Sequence, residues 1–440
     1  MVLSAAFLIL YSLLLYILAL PIWLYFFWRS VKDPAYRRRL GERLGNLPES
    51  IEAGSIVVHT VSVGEVIAAT PFIRQLQQAW PDQRITVTCT TPTGSATIRQ
   101  RFASSIQPDA STQHSAAIQH CYLPLDFPGS VSRFLRQTQP KALIIMETEL
   151  WPNLLAQADQ AGIPVVVINA RLSARSARGY RRFACLTKPL LQHIHLLLTQ
   201  DKATARRFRA LGYQRAPEVT GNLKFELSMP DNQQALLNDF QPVFADRLLW
   251  VAGSTHAGED EALLQIFPRL KAQFPNLLLM LVPRHPERFD KVATLVTNAG
   301  LALWRRSSET MPTADVDIAL GDSMGELLAW YQLADVAFIG GSLIERGGHN
   351  PLEAICFGKA VQTGPHTFNF ADAYRQLQQY QAVSLVANAN ELADNTAALL
   401  ADSKARQEQG ERAKHFFLQQ QGATARTLVA IQQLIRADQR

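Results

Sequence analysis

The sequence predicts two doubly wound α/β domains that follow an apolar N-terminal anchor helix. Three observations favour this class. The 440-residue chain alternates short apolar, β-branched runs with helical stretches, and the alternation starts again after a polar stretch at 228–241. Residues 1–28 carry no charged side chain. Because near-continuous apolar strands between helices favour parallel sheets covered on both faces, we expect two such domains facing each other across a cleft.

Composition excludes several classes of protein. With 48% apolar and 18% charged residues, the chain is neither disordered nor collagen-like. Only one stretch is long and apolar enough to cross a bilayer, which excludes a polytopic transporter. The four cysteines lie far apart with no C-x-x-C pair, so we expect reduced thiols rather than a disulfide framework or a cysteine zinc site.

The N-terminal segment 1–28 is expected to be a tilted transmembrane helix or a deeply embedded anchor, interrupted at Pro21. It lacks the basic start and the small-residue cleavage site of a signal peptide. A basic cluster follows it directly: Arg29, Lys32, Arg37, Arg38, Arg39 and Arg43. The positive-inside rule then places the rest of the chain in the cytoplasm. The alternative is a buried core helix.

A second basic run has helical spacing. Arg171, Arg175, Arg178 and Arg182 follow i, i+4, i+7 and i+11 and share one face if the segment is helical. A solvated surface is one interpretation. Beside a membrane anchor, we favour an anionic membrane surface or a phosphorylated lipid over nucleic acid as the partner, because each basic residue near such a surface adds about 1 kcal/mol.

The strands are predicted from apolar runs in each half. In the first half these are 55–60, 85–90, 121–125, 142–147, 164–170 and 195–200. In the second half they are 248–254, 277–284, 316–321, 335–341, 359–364 and 382–387. Helices are predicted at 65–80, 130–139 and 154–162. The predicted domains are the anchor 1–28, a first domain 29–227, a linker 228–245 and a second domain 246–440.

Loops after the predicted strands of the second half carry anion-binding features. They span 281–288, 321–327 and 340–354, and two of them are glycine-rich turns into helices expected near Gly325 and at Asn350–Pro351. Such turns leave backbone N–H groups unpaired at a helix N-terminus, which suits phosphate. Glu353 falls one turn inside the last helix, within reach of a ribose diol. The alternative for each is a tight loop without a ligand.

Loops in the first half place acids and a lysine at strand ends. Glu65 follows Gly64, Glu147 and Glu149 share a loop, and Lys224 precedes the domain boundary. These carboxylates are candidates for acid–base chemistry, with surface exposure or helix capping as the alternative. The D-x-D pattern at 315–317 runs into an apolar strand, so we expect no metal site. No G-x-G-x-x-G follows the first strand, which argues against a dinucleotide cofactor.

Taken together, a series of strings resembles the 3-deoxy-D-manno-octulosonic acid (Kdo) transferases of lipopolysaccharide synthesis. They run in order from Ala35 to Phe370: AYRRRLGERLG, HTVSVGEVIAATP, TPTGS, LPLDFP, IIMETELWPN, NARLSARSARGY, TGNLKFE, GSTHAGEDE, LVPRHPERF, GDSMGELL, GGSLIERGGHNPLEA and GPHTFNF. The resemblance therefore covers most of the chain. One departure is Ser323, where the pattern leads us to expect threonine.

The resemblance implies a GT-B glycosyltransferase with two Rossmann-like domains, anchored in the inner membrane with its catalytic domains on the cytoplasmic face. It implies CMP-Kdo as donor, a phosphorylated lipid A precursor (lipid IVA) as acceptor, inversion at the anomeric centre, and no bound metal or other cofactor. Glu65 resembles the catalytic base, and Glu147 and Lys224 the transition-state stabilisers. The residues that resemble the CMP site are Pro283, Arg284, Met324, Gly325, Glu326, Asn350, Pro351, Leu352 and Glu353.

Two other functions fit parts of the sequence. One is a lipid-linked transferase of the same class that uses a UDP-sugar, against which the strings VPRHPER and RGGHNPLEA argue. The other is a membrane-tethered nucleotide-binding protein without catalysis, which would not need a loop carboxylate placed like Glu65.

Overall fold

Short apolar strands, buried on both faces, build a parallel sheet in each of two units of the chain. The computed structural model describes residues 2–106, 118–227, 231–308 and 310–438. The first unit consists of residues 1–226 together with 421–440, and the second of residues 227–420. The predicted parallel sheets covered by helices are confirmed in both units.

The first sheet has the order β3-β2-β1-β4-β5-β6-β7, and neighbouring strands are parallel. Its strands are β1 Ile56–His59, β2 Ile85–Cys89, β3 Ile118–Tyr122, β4 Ala142–Met146, β5 Val165–Ala170, β6 Leu196–Thr199 and β7 Glu218–Val219. The helices are α1 Val2–Ile17, α2 Ala19–Lys32, α3 Leu40–Arg43, α4 Val63–Ala79, α5 Pro92–Arg101, α6 Ala103–Ile106, α7 Pro128–Thr138, α8 Pro152–Gln160, α9 Ala174–Arg182, α10 Ala184–Gln192 and α11 Lys202–Ala210.

The second sheet has the order β10-β11-β9-β8-β12-β13-β14, again with parallel neighbours. Its strands are β8 Leu248–Thr255, β9 Leu277–Pro283, β10 Leu303–Arg305, β11 Ile318–Leu320, β12 Val336–Ile339, β13 Ala360–Thr363 and β14 Ser384–Leu385. The helices are α12 Asp231–Phe240, α13 Glu259–Gln273, α14 Phe289–Asn298, α15 Leu327–Leu333, α16 Leu352–Ile355, α17 Ala371–Gln379, α18 Ala389–Ala401 and α19 Ser403–Gln420.

The core of each unit lies on the faces of its sheet. Alternate residues of a strand point to opposite faces, so Ile56 and Val58 of β1 join one cluster while Val57 joins the other. Helix α4 covers the first cluster, and helices α7, α8 and α11 cover the second. The strands are therefore apolar on both sides, which is why their sequences lack strict alternation.

The last helix, α20 (Ala423–Asp438), belongs to the first unit. Its buried Ala423, Ala430 and Ile431 pack into the same cluster as α4 and β1. The structure therefore differs from the predicted second domain 246–440, because α20 buries its apolar stripe against the first sheet. The predicted linker 228–245 also differs, since α12 lies within the second unit.

The apolar N-terminal segment forms two helices with a bend of 48° between them. Pro21 lies in the first turn of α2. In a continuous helix it would have no N–H to donate to the carbonyl of Ile17 and its ring would clash with that carbonyl, which explains the break at Leu18. In the part of the chain that the structure describes, no single helix has the length and apolarity to cross a membrane. Helices α1 and α2 reach both only as a bent pair.

Part of the basic cluster after α2 is built into the first unit. Arg43 is 2% exposed and donates to the carbonyl of Thr90 over 2.9 Å, with its guanidinium over the rings of Phe26 and Tyr122. Arg39 pairs with Glu42 over 2.6 Å. Arg39 and Arg43 therefore stabilise contacts within the first unit. The structure does not support a surface role for the whole cluster.

The second basic run is only partly helical. Helix α9 begins at Ala174, so Arg171 precedes it, while Arg175, Arg178 and Arg182 lie on the helix and are exposed. The expected single face of four arginines is corrected to three. On the other side of α9, Ala177 and Tyr180 pack against the core.

Candidate functional site

Each sheet has a central strand, here called its reversal point, on both sides of which the chain adds further strands. In the first sheet β1 lies between β2 and β4, and in the second β8 lies between β9 and β12. At these points the loops after the two neighbouring strands lead to helices on opposite faces, which leaves a crevice at the carboxyl ends. Doubly wound sheets bind their ligands there. The candidate residues are described for each unit in turn.

Glu65 lies in the first turn of α4, directly after β1. Its carboxylate accepts the backbone N–H of Val61 over 2.8 Å and the hydroxyl of Ser62 over 3.1 Å. Ser62 is the N-cap residue and accepts the N–H of Glu65 in return. These contacts fix the side chain at the end of β1, as in a capping box. Each carboxylate oxygen keeps a further lone pair for a ligand.

The environment of Glu65 favours its protonated form. Burial, together with the charges of Glu147 and Glu149, raises the pKa of Glu65 to about 7, although the hydrogen bonds from Val61 and Ser62 act in the opposite direction. A carboxylate with a pKa near neutrality combines availability as a base with a useful affinity for the proton. Gly64 has no heavy atom within 3.8 Å of where a Cβ would stand, so space is open beside this turn.

Glu147 lies at the end of β4, the strand next to β1. Its φ of 58° is in the left-handed region, which costs a residue with a Cβ on the order of 1–2 kcal/mol. Its carboxylate accepts from the Nζ of Lys224 over 2.9 Å. The structure thus brings together Glu147 and Lys224, which are far apart in the sequence, with Glu65 close enough for the charge of Glu147 to affect its pKa.

Asn169 holds the turn that carries Lys224, and the sequence analysis did not single it out. It is fully buried at the end of β5 with a φ of 53°, a conformation that asparagine tolerates better than most residues. Its side-chain oxygen accepts the N–H of Leu223 over 3.0 Å. Asn222 accepts the N–H of Lys224 over 3.0 Å and completes the 3₁₀ turn Leu223–Phe225. The sequence feature that could have pointed to Asn169 is its position as the first residue of the string NARLSARSARGY.

The C-terminal helix also supports the turn of Lys224. Arg426 of α20 donates to the carbonyl of Thr220 over 2.8 Å. Gly221, with a φ of 97°, lies so close that a Cβ would come within 2.9 Å of the Arg426 guanidinium. The last helix therefore contributes to the position of Lys224, although its own sequence carried little signal.

Glu149 lies beyond Glu147 on the same loop. Burial and the charge of Glu147 raise the pKa of Glu149. The loop leads into α8, whose first N–H groups, those of Asn153 and Leu154, are accepted by Asp126 over 2.9 Å each. Glu149 therefore does not cap α8 through these groups, and it stays a second carboxylate beside the candidate base.

In the second unit, the candidate nucleotide residues lie on loops at the carboxyl edge of the sheet. Arg284 follows β9 and is exposed, whereas Pro283 is buried at the end of that strand. Met324 is exposed and Gly325 has a φ of 84°, both on the loop after β11. Helix α15 begins at Leu327, two residues later than predicted.

Glu326 is paired within the second unit. Its carboxylate accepts two hydrogen bonds of 3.1 Å from the guanidinium of Arg306. The loop after β12 ends at Asn350, which donates to Glu353 over 3.2 Å and accepts the N–H of Leu352 over 3.2 Å. Pro351 and Leu352 are buried, so these two residues offer backbone rather than side chains to a ligand.

At the start of the glycine-rich loop after β12, the backbone N–H groups are bound by a buried side chain. The buried carboxylate of Glu259 accepts the N–H groups of Gly341, Ser342 and Leu343 over 2.7, 2.9 and 3.0 Å. The start of this loop is therefore already bound by a side chain 82 residues earlier, whereas the anion site near Asn350–Pro351, at the start of the next helix, stays a prediction.

A pair of histidines lies at the reversal point of the second sheet. His256 follows β8 and His349 lies in the loop after β12, and their Nε2 atoms are 2.8 Å apart. The sequence analysis quoted both inside longer strings but gave neither a role. The only feature of the two histidines that could have suggested a site is that each follows a predicted strand.

Comparisons with known proteins agree with this division of the chain. The family model described as 3-deoxy-D-manno-octulosonic-acid transferase (kdotransferase) matches residues 38–227, and the model of glycosyl transferases group 1 matches residues 259–416. A 3-deoxy-D-manno-octulosonic acid transferase from Haemophilus influenzae is 43% identical, over 91% of this chain and 92% of its own. A protein of the same name from Bordetella pertussis is 35% identical, over 96% and 98%.

Solved structures share the fold. A UDP-GlcNAc 2-epimerase from Neisseria meningitidis covers 87% of this chain and 100% of its own with a TM-score of 0.55 at 12% identity. MurG from Acinetobacter baumannii covers 87% and 99% with a TM-score of 0.53 at 14% identity. The C-terminal CMP-Kdo binding domain of WaaA from Acinetobacter baumannii is 34% identical, covering 43% of this chain and 98% of its own with a TM-score of 0.41.

Proposed function

The chain belongs to the 3-deoxy-D-manno-octulosonic acid (Kdo) transferase family, and from this premise we propose that it transfers Kdo from CMP-Kdo to a phosphorylated lipid A precursor, lipid IVA, in lipopolysaccharide biosynthesis. The observation that carries the reaction is Glu65, a held carboxylate with a pKa of about 7 at the reversal point of the first sheet. The acceptor is a sugar hydroxyl, and a hydroxyl needs a base of this kind when it attacks.

In the proposed reaction Glu65 accepts the proton of the acceptor hydroxyl as its oxygen bonds to the anomeric carbon of Kdo. The bond from that carbon to the phosphate oxygen breaks, and CMP leaves with the electron pair. Attack from the face opposite to CMP inverts the anomeric centre. This single displacement requires one base, and the nearby carboxylates are then free for electrostatic roles.

Glu147 and Lys224 are proposed to stabilise the charges that develop during transfer. The sugar ring becomes positive and the departing phosphate becomes negative. A carboxylate and an ammonium held 2.9 Å apart offer both signs of charge. Such preorganised groups act more strongly on the transition state than on the ground state. The strained backbone of Glu147 supports this role, because strain at a fixed position often accompanies function.

The loops of the second unit are proposed to bind CMP. The exposed guanidinium of Arg284 suits the phosphate, and Glu353, linked to Asn350, suits the ribose hydroxyls. Pro283, Leu352 and Pro351 contribute backbone. The exposed Met324, Gly325 and the Arg306-paired Glu326 complete the nucleotide-binding loops.

The transfer is proposed to need no bound metal or cofactor. The charges expected in the transition state are matched by Lys224 and Arg284, so a metal ion has no role left in this scheme. Purified protein that has been incubated with a chelator and desalted should keep full turnover, and a loss that magnesium or another divalent cation restores would contradict this part of the proposal.

The enzyme is proposed to work on the cytoplasmic face of the inner membrane. Helices α1 and α2 expose apolar side chains, among them Ile9, Leu13 and Leu20. The exposed arginines of α9 are proposed to face the anionic surface. Replacing Ile9, Leu13 and Leu20 together by Lys should move the full chain from the membrane to the soluble fraction. Replacing Arg175 and Arg178 by Ala should weaken its sedimentation at low salt only and make it less sensitive to salt, because the screened electrostatic contribution is lost.

The transfer itself is tested by incubating the purified chain with CMP-Kdo and lipid IVA and weighing the lipid products by mass spectrometry. Each added Kdo should appear as one mass increment, with CMP released in equal amount. UDP-sugars offered in the same assay should give no product. Product from a UDP-sugar, or none from CMP-Kdo, would contradict the proposal.

A further inference from the structure

The pair formed by His256 and His349 is joined by a hydrogen bond in the plane of its rings. The ring planes are parallel within 5°, the centroids are 5.1 Å apart, and the Nε2 atoms are 2.8 Å apart. One ring therefore donates and the other accepts, so at least one of the two must be neutral. The pair can hold one additional proton and keep its hydrogen bond.

Most of the charged groups around the pair are cationic; an exception is Glu287, whose carboxylate lies 3.9 Å from Nδ1 of His285. Arg284 and Arg346 are exposed, and within the described residues neither guanidinium has an ion-pair partner. His285 lies edge-on to His256 with the centroids 5.3 Å apart. Arg288 lies further along the same loop and pairs with Asp260 over 2.5 Å. The pair is therefore faced by a surplus of positive charge.

The carboxylate nearest to the pair in the sequence, Glu259, is turned away from it. Glu259 is fully buried and accepts backbone N–H groups, including that of His256 over 3.1 Å. It binds backbone N–H groups of the loop after β12 rather than the imidazole rings. In keeping with this, burial together with the surrounding cations lowers the pKa of both histidines to about 4.

The backbone around the pair leaves room for the rings. Gly341 has a φ of 68°, and a Cβ on it would lie 2.9 Å from the ring of His349. The hydroxyl of Tyr374 donates to the His349 carbonyl over 3.1 Å and steadies the loop. The glycines that the sequence analysis assigned to phosphate thus accommodate an imidazole pair at the reversal point of the sheet.

We propose that His256 and His349, together with Arg346, bind an oxyanion of the sugar-nucleotide donor, and that the histidine pair takes up one proton when the oxyanion binds. This rests on the proposed function, in which the donor carries two oxyanions, a phosphate and a sugar carboxylate. A bound negative charge favours the charged form of an imidazole, so the proton joins the pair as the cationic surplus is neutralised. Binding should then tighten as the pH falls.

Isothermal titration calorimetry of the full chain tests the proposal, with CMP, Kdo and cytidine as separate probes. Each titration is run at pH 6 and pH 8 in two buffers of different ionisation enthalpy, which gives the number of protons taken up. The variants are His256→Gln and His349→Gln, in which an amide replaces an imidazole that can be protonated. His195→Gln, at a histidine that pairs with Asp159 in the first unit, is the matched control.

The wild-type chain and the control should take up a proton when they bind CMP, Kdo or both, and the two variants should not. At pH 6 the wild-type chain and the control should also bind about 10–100-fold more tightly than the variants. The phosphate of CMP also titrates near pH 6, but it does so equally in all proteins, so the difference isolates the histidines. Cytidine should take up no proton. Uptake with CMP alone assigns the oxyanion to the phosphate, and uptake with Kdo assigns it to the carboxylate.

Equal affinities and proton counts in the wild-type chain and both variants would overturn this inference and leave the proposed function intact. Failure of the wild-type chain to bind CMP would contradict the proposed function instead. If the variants do not fold, NMR of ¹³C-labelled histidine rings in the wild-type chain replaces them. Saturating CMP or Kdo should move ring signals towards the protonated position, and unchanged signals would overturn the inference.

Discussion

The two sheets carry opposite chemistry at the same topological position. At the reversal point of the first sheet lie two carboxylates, Glu65 and Glu147, on the loops after β1 and β4. At that of the second lie two imidazoles, His256 and His349, on the loops after β8 and β12. Burial and nearby like charges favour the neutral form of Glu65 at the first reversal point and of both histidines at the second. The strand order therefore determines where a site can form, and the loops determine its charge.

This difference indicates how the chemistry of the reaction is divided between the two units. The carboxylate of Glu65, with its raised pKa, suits the proton of an acceptor hydroxyl, and that of Glu147 suits the positive charge of a sugar ring. Imidazoles among arginines attract negative charge, which suits a nucleotide. The four predictions below test this division, starting with the largest effect.

Glu65→Gln should lower turnover by about 10²–10⁴-fold, because the amide keeps the shape of the side chain and an acceptor oxygen for the N–H of Val61 but cannot accept the proton. Turnover is measured with CMP-Kdo and lipid IVA, and CMP affinity, a property of the second unit, should stay unchanged. Glu52→Gln, at an exposed acid of the same unit, is the matched control. Near-normal turnover in folded Glu65→Gln would transfer the role of base to Glu147 or Glu149.

Glu147→Gln should lower turnover by about 10²–10³-fold, the usual effect of losing one preorganised electrostatic group. It should also change the pH profile. In the wild-type chain kcat/KM should rise with pH through about 7 as Glu65 ionises. Removal of the Glu147 charge lowers the pKa of Glu65, so the midpoint should move to lower pH. A midpoint that stays or moves upward would show that the two carboxylates are not coupled.

Arg284→Ala and Glu353→Ala should each weaken CMP binding by roughly 1–3 kcal/mol, the usual loss for a hydrogen bond to a charged group. Calorimetry with CMP measures this. Turnover at saturating donor should fall much less than affinity in Glu353→Ala, whereas Arg284→Ala should lower both because Arg284 also faces the charge of the departing phosphate. Arg269→Ala, at an exposed pair with Asp394 in the same unit, provides the comparison. Unchanged affinity in both variants would remove these residues from the nucleotide site and break the division between the units.

Asn169→Ala should lower kcat by about tenfold with little change in KM for CMP-Kdo, because the turn of Lys224 loses the bond to Leu223. Asn169→Gly keeps the left-handed backbone but lacks the amide, so it should be as slow as Asn169→Ala. Asn169→Asp keeps the acceptor oxygen and should recover most of the rate. If Gly restores the rate and Asp does not, the residue serves the backbone conformation alone.

The sequence predicted the central strands well because each of them is a continuous run of apolar residues, which can be recognised without knowing its neighbours in space. The bounds of β1, β4 and β9 agree within one residue of the predicted runs. β7 and β10, which are two and three residues long, were missed, whereas the equally short β14 and β11 were predicted inside longer apolar runs. β3 lies three residues earlier than predicted because Gln119 and His120 satisfy their polar groups inside it, the latter on the carbonyl of Val87 over 2.8 Å.

Individual residues of the candidate site could be predicted from the sequence, but the contacts between them could not. Glu65, Glu147 and Lys224 were each visible at a strand end or loop, whereas Asn169 acts on a turn 54 residues away. Glu259 and the glycine-rich loop are 82 residues apart, and the histidine pair spans 93. Only the register of the parallel strands brings these groups together, and no local pattern encodes that register.

The first unit is assembled from two separate stretches of the chain, and this has a consequence for its biosynthesis. The surface of α4 and β6 that α20 covers stays open until residues beyond 420 leave the ribosome. The second unit is one continuous stretch, and its synthesis takes on the order of 10–40 s at about 5–20 residues per second. The unit begun first is therefore completed last. During that interval its apolar face, with the turn of Lys224 not yet supported by Arg426, is the part of the nascent chain that most needs a chaperone.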